Sequence, residues 1–373
     1  MFRKYNTNIK PSEVRNVKPA VRKILYAAFI VGTLGVVLFL AVQSGDLASS
    51  IEAIGRIPLW YAGLGVVLTF GAIFAQTLSA CSALRCMGHS VGLLTMFRIS
   101  ILGEFYCYIT PGASGGQPMV IYQLYKRKVP VGDGTSVQLA HHLFFQIALT
   151  VITTVLGVLY RDFIVRQVGP SLPVLVVGYC FNVLVVILLL LLCLTRRPVR
   201  WAVKLVATLA GKLRIKKLAE LEETMLDTAD QFYAATQRLK RNKPEIARQL
   251  VIGALRVVSL NSVMYLVYRG LGLSGYGYGQ LLAMSVMLYN SAAYAPMPGA
   301  SGAQEGVFAL YFAGIFQDSL LFSGMLAWRF ITFYLVLAVG VAVMLSMGAN
   351  RQEKEVEALK RKEHELKAEQ AAE

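Results

Sequence analysis

Acidic residues are scarce in this chain: 21 Asp and Glu stand against 37 Lys and Arg in 373 residues, and charged residues of either sign make up only 16%. A soluble domain carries about 25%, so a water-facing globule is excluded. Cysteine is rare too. Cys81, Cys86, Cys107, Cys180 and Cys193 lie in or beside apolar blocks without metal-ligand spacing, which reads as buried thiols, with no metal site expected. The sequence contains no Walker A loop, dinucleotide fingerprint or His-Glu-x-x-His, so neither an ATP-driven pump nor a familiar hydrolase is supported, and no cofactor is expected.

What the chain has in excess is hydrophobic residues, 56% of the total. They gather in blocks at 24–43, 58–80, 135–160, 172–194, 248–270 and 319–347, each long enough for a helix to cross a hydrocarbon core, which takes about 20 residues. The first block follows Arg22 and Lys23 but exceeds a signal-peptide core of about 7–15 residues, so it reads as an uncleaved span. The predicted fold class is an all-α polytopic membrane protein with about six full spans.

The basic charge is unevenly placed. Seven Lys or Arg lie in 1–23, three in Lys126-Arg127-Lys128, thirteen in 195–248 and six beyond 349, whereas the presumed outer loops 44–57, 161–171 and 271–279 hold only Arg56, Arg161 and Arg166. Cytoplasmic loops collect Lys and Arg, so both termini and the segment 195–247 are expected in the cytoplasm, with the protein in a bacterial plasma membrane. The net charge of +16 then reports topology, and nucleic-acid binding is not expected. The organisation reads as a basic N-terminus (1–23), a membrane domain (24–347) and a charged tail (348–373). Within 213–243, Leu218, Leu221, Met225, Phe232 and Leu239 form one stripe, the mark of an amphipathic helix that packs on its own protein or lies along the membrane interface.

Two stretches are not plain spans. Residues 110–118 read TPGASGGQP and residues 297–305 read MPGASGAQE, so Pro-Gly-Ala-Ser-Gly-x-Gln occurs twice, 187 residues apart. The flanking blocks repeat at nearly the same offset, which defines repeat A (58–160) and repeat B (248–347). Followed from a cytoplasmic N-terminus, the stretch 96–125 begins and ends on the cytoplasmic side, whereas 280–316 begins and ends outside. The two read as re-entrant broken hairpins in an inverted repeat, the best sequence pointer to a transporter's midplane site.

Pro111 with Gly112, and Pro298 with Gly299, should end the first half-helix of each hairpin. Ser114 to Gln117 and Ser301 to Gln304 fit a capping box, which predicts second half-helices over about 117–125 and 304–315. Two helix N-termini meeting from opposite faces would cradle an anion such as a lipid phosphate, and Gly115, Gly116 and Gly302 leave room for close backbone approach. Glu104 and Glu305 are the acids inside apolar segments, and Arg256, Arg269 and Arg329 the opposing bases; intramembrane charges are functional candidates by default. Arg329 is the first choice as phosphate or carboxylate partner, with a Glu305–Arg329 brace as the alternative. His141 and His142 point to different faces, against a metal site.

Gly-Glu at 103–104, the two motifs in order and an arginine in the following span resemble the lysylphosphatidylglycerol synthase transmembrane-region family over about residues 20–347. The resemblance implies a flippase for aminoacylated phosphatidylglycerol, or for polyprenyl-linked or glycolipid carriers. The chain stops after a tail of about 25 residues, so the family's aminoacyltransferase domain is expected to be absent and the protein is not expected to be an enzyme. The expected partner is a membrane phospholipid or lipid-linked substrate, with room for a homodimer and for a separate lipid-modifying enzyme. A carrier for a small soluble anion, a membrane component of aminoacyl-lipid or lipid-linked glycan synthesis, and a structural scaffold remain open alternatives.

Overall fold

The computed structural model describes residues 47–195 and 230–347, except 231, 235 and 239. The basic N-terminus, the block 24–43, the charged tail and most of the amphipathic stripe, Leu218, Leu221, Met225 and Leu239 included, lie outside the described residues. Regular structure among the described residues is helical throughout. In chain order the helices are α1 (Leu47–Gly55), α2 (Leu59–Cys86), α3 (Leu93–Ile109), α4 (Gly116–Tyr125), α5 (Val131–Leu159), α6 (Arg161–Val168), α7 (Leu172–Leu194), α8 (Lys243–Gly270), α9 (Tyr278–Ala292), α10 (Ala303–Phe312) and α11 (Asp318–Arg329). The last continues through a π-helical turn at Phe330–Tyr334, giving an apolar span of Ser319–Met347.

Prolines set where the long helices begin. Pro58 and Pro130 immediately precede α2 and α5, and Pro173 and Pro244 sit in the first turns of α7 and α8, where the missing N–H costs nothing. Five stretches are long and apolar enough to span a membrane: Leu59–Cys86, Val131–Leu159, Arg161–Leu194, Lys243–Gly270 and Ser319–Met347. The presumed loops 44–57 and 161–171 are corrected by the structure, since both are largely helical. In the second, Ile164 and Val168 are buried in an apolar cluster with residues of α8, α9 and α10, which holds α6 although half of its residues are polar.

The inversion of the two halves is visible in how α2 and α8 pair. Gln249 donates to the Ser79 carbonyl at 3.0 Å and Ser82 donates to Glu245 at 2.6 Å, while Gly65 faces Val263 at the other end. Residue numbers rise along one helix as they fall along the other, so the first spans of the repeats are antiparallel. Polar bridges stitch the remaining helices together: Asn182 of α7 donates to Asn290 of α9 at 2.8 Å, and Asn290 donates to Thr153 of α5 at 2.8 Å. Helix association in lipid gains little from hydrophobicity and leans on such bonds, worth about 1 kcal/mol each. At the edge, the described part of the amphipathic segment packs on its own protein: Phe232 is buried and its carbonyl accepts from Ser136 at 2.9 Å.

Candidate functional site

Both predicted hairpins form. In the first, α3 and α4 pack back to back, with Gly103 beside Val120 and a Cβ at Gly116 falling 2.7 Å from the Gly103 carbonyl oxygen; a side chain there would force the helices apart. In the second, α9 and α10 are bridged by a 2.8 Å bond between Ser291 and Tyr311. The α9 helix stops at Ala292, six residues before Pro298. The cause is an additional proline, Pro296, which disfavours helical backbone at the residue before it; the first hairpin has Ile109 at that place and stays helical to Ile109.

Each Pro-Gly-Ala forms one tight 3₁₀ turn, and the turns of the two hairpins touch. Gly112 (φ 58°, ψ 26°) and Gly299 (φ 59°, ψ 18°) are left-handed, as are Ala113 (φ 54°) and Ala300 (φ 50°). Left-handed backbone costs an alanine about 1–2 kcal/mol. Its recurrence at the same step of both copies shows that the two Pro-Gly-Ala turns are geometrically equivalent, although the chain diverges at the next residue, helical at Ser114 and extended at Ser301. Around Gly112 there is open space, whereas a Cβ at Gly299 would run into the Phe333 ring and lie 3.3 Å from the Tyr108 carbonyl oxygen. Gly112→Ala should therefore cost about 1–2 kcal/mol, and Gly299→Ala more. Thermal unfolding in detergent checks this ranking; equal losses would contradict the close packing of the second turn on α11.

The predicted capping boxes are corrected. In the first copy Ser114 is already helical, and the Gly115 N–H is capped by Thr110 Oγ1 at 2.8 Å rather than by Ser114 or Gln117. In the second copy Gly302 is the N-cap, and its N–H donates to Glu305 Oε2 at 2.6 Å. Glu305 thus takes the role expected of Gln304, and Met297 stands where the capping Thr110 stands in the first copy. Ser301 Oγ is buried without a partner among the described residues. The half-helices accordingly start one residue earlier than predicted, and the second ends at Phe312.

A cavity of about 220 Å³ lies where the hairpin tips meet. Of the predicted site residues, Glu104, Gly116, Gln117, Gly299, Gln304 and Arg329 are in its wall. Pro111, Gly112, Ser114, Gly115, Pro298, Ser301, Gly302 and Glu305 are not; they form the turns and helix starts that hold that wall.

Two arginines face the cavity, each held by one glutamate. Arg329 Nε donates to Glu305 Oε1 at 2.6 Å, with side chains only 4% and 5% exposed, and its guanidinium lies 4.9 Å from the Phe333 ring centre. The π-helical turn begins at the next residue; such turns concentrate at functional sites. Arg256 of α8 reaches across to the first hairpin: Nη2 donates to Glu104 Oε1 at 2.5 Å, Nη1 donates to His141 Nε2 at 2.8 Å, and the group lies 4.6 Å over Phe145. Since Arg is always a donor, His141 Nε2 is the accepting nitrogen and Nδ1 faces Ser79 Oγ at 3.1 Å. That chain continues from Ser79 through Gln249 to Glu245 and Ser82.

Arg256 is the main residue the sequence reading left without a role. Its signal was the one that singled out Arg329: an arginine well inside an apolar block. Arg256 Nε, Arg329 Nη2 and Gln76 Oε1 are buried and have no hydrogen-bond partner among the described residues, and all three residues line the cavity. A buried unmet donor costs about 1–3 kcal/mol and calls for a ligand or water. Chemically, the cavity wall holds two guanidinium groups, each with one unmet donor and each with a glutamate that balances its charge. The Gly112–Gly116 run also reads Gly-x-Ser-x-Gly, but Ser114 follows a helix rather than a strand and has no histidine hydrogen-bonded to it, so it lacks the setting of a hydrolase nucleophile. Among the described residues no group of side chains has the makeup of a metal site.

A protein-family model described as the lysylphosphatidylglycerol synthase TM region matches residues 24–340. None of the curated proteins matches the chain.

Proposed function

Because the chain belongs to the lysylphosphatidylglycerol synthase transmembrane-region family, we propose that it moves a lipid with an anionic headgroup between bilayer leaflets without altering it chemically. The lipid is an anionic or aminoacylated phospholipid, or a polyprenyl-linked or glycolipid carrier. The headgroup passes through the polar cavity between the hairpin tips while its chains stay in the surrounding lipid. In this reading the protein sits in a bacterial plasma membrane with both termini cytoplasmic, as the distribution of Lys and Arg supports. A separate enzyme would supply any modified lipid.

The observation that carries the reading is the pair of unmet guanidinium N–H groups, on Arg256 and Arg329, in the wall of one cavity between two inverted hairpins. A phosphodiester fits them by charge, since each guanidinium keeps one N–H donor unmet beside its glutamate. The test is leaflet transfer of fluorescent phosphatidylglycerol in proteoliposomes, run beside uptake of soluble glycerol phosphate. The expected result is lipid transfer well above that of protein-free vesicles and no soluble uptake. Soluble uptake without lipid transfer would replace this reading with a small-anion carrier, and a chemically changed lipid would replace it with an enzyme.

A further inference from the structure

The two halves of the cavity are not chemically equivalent, and their difference falls on a titratable side chain. Repeat A and repeat B keep the 187-residue offset beyond the hairpins: Ser136, Leu139 and Ala140 on α5 stand where Ser323, Leu326 and Ala327 stand on α11. On that register His142 is the counterpart of Arg329; each follows the motif serine of its own repeat, Ser114 or Ser301, by 28 residues. Both side chains line the same cavity. Arg329 has Glu305 as its counter-ion, but the residue equivalent to Glu305 in repeat A is Pro118, which offers no carboxylate. His142 makes no hydrogen bond to a described residue, in contrast to His141, whose ring is held between Arg256 and Ser79.

We propose that His142 is a proton-dependent half-site for the anionic oxygens of the transported headgroup, matching in repeat A the permanent cation that Arg329 supplies in repeat B. The inference rests on the lipid-transport reading for the identity of its ligand. The titratable and charged groups that line the cavity with His142 are Arg256 on α8, Glu104, Cys107 and Tyr108 on α3, Tyr289 on α9, Arg329 on α11, and His141 on its own helix. Among them Glu104 is engaged by Arg256, so no free carboxylate competes for the ring. An imidazole that holds a phosphate oxygen does so as a donor, and the anion favours the protonated ring. Binding therefore takes a proton from solution onto the ring, and release returns it. The sign follows: a group whose affinity for protons is higher in the complex makes binding tighter as pH falls and weaker as pH rises. Movement of the headgroup from the His142 half to the Arg329 half would give the proton back, which links transport to a proton gradient.

The test uses the full chain in detergent, titrated with phosphatidylglycerol in one arm and inorganic phosphate in another, at about pH 6 and about pH 8, either side of the ordinary imidazole range. Proton uptake on binding is read with an indicator dye in weak buffer. Tighter binding at the lower pH is expected, with uptake of up to about one proton per ligand. His142→Gln should lose both. His142→Arg should bind at the higher pH as the wild type does at the lower, without uptake, and its binding shows that it folds. Unchanged proton uptake in both variants overturns the half-site. If the wild type transfers lipid but its pH dependence survives both changes, lipid transport stands and the half-site falls. If it transfers none but shows His142-dependent uptake, the half-site stands and the transport reading falls. Uptake with phosphate alone keeps the half-site and assigns it to a soluble anion.

Discussion

Glu305→Ala and Arg329→Ala should each destabilise the protein by about 3–5 kcal/mol, because removing one member of a buried ion pair strands the other's charge. The pair is 2.6 Å apart and almost fully buried, and Glu305 also caps α10 through the Gly302 N–H, so the glutamate variant loses two contacts. A double variant, Glu305→Gln with Arg329→Met, removes both charges, keeps an acceptor for the Gly302 N–H and puts an apolar chain in place of the arginine; apolar replacements of buried pairs are often harmless or stabilising. The double variant should therefore recover most of the thermal stability lost by either single alanine change, while lipid transfer stays at the protein-free rate. Melting temperature and transfer measured on the same preparations separate the two roles. Recovery of transfer along with stability would make the pair a brace and nothing more.

The second large effect is expected at Arg256. Its guanidinium spans Glu104 on the first hairpin and His141 on α5 with two different nitrogens, tying three helices at the cavity. Arg256→Gln should abolish transfer. Arg256→Lys keeps the charge but has no planar fork, and one ammonium cannot reproduce both bonds in the same geometry, so it should also fall far below the wild type. Glu104→Gln frees the arginine from its counter-ion and should raise affinity for an anionic lipid while slowing its release. Transfer rate and lipid affinity for the three variants decide the matter. A lysine variant with the wild-type rate would show that charge alone is needed and that the fork is not used.

Much of this architecture is legible in the residues because membrane constraints are one-dimensional. A block such as 172–194 has to be a helix in lipid whatever surrounds it, and the duplicated Pro-Gly-Ala-Ser-Gly marks where the helices break. Glu305 and Arg329 stood out because charge inside such a block is rare. What the sequence did not disclose depends on contacts between distant elements. Glu245 precedes the apolar block and falls in the segment 195–247 expected in the cytoplasm, yet it is 2% exposed, since Ser82 and Gln249 hydrogen-bond to it. The cap at Gly302 depends on a carboxylate that Arg329, 24 residues further on, holds in place. The helix α6 was missed because half of its eight residues are polar, and the packing of Phe163, Ile164 and Val168 on distant helices that holds it is not visible in the segment itself. The role of Arg256 emerges only when Glu104, 152 residues away, is brought beside it.

The most direct test is a density map of the protein in nanodiscs containing phosphatidylglycerol. The expected result is a lipid whose phosphate lies in the cavity between Arg256 and Arg329, with its two chains leading out between the hairpins into the bilayer, and loss of that density in Arg256→Gln. A cavity holding only water, with lipid confined to the outer surface of the helices, would contradict it.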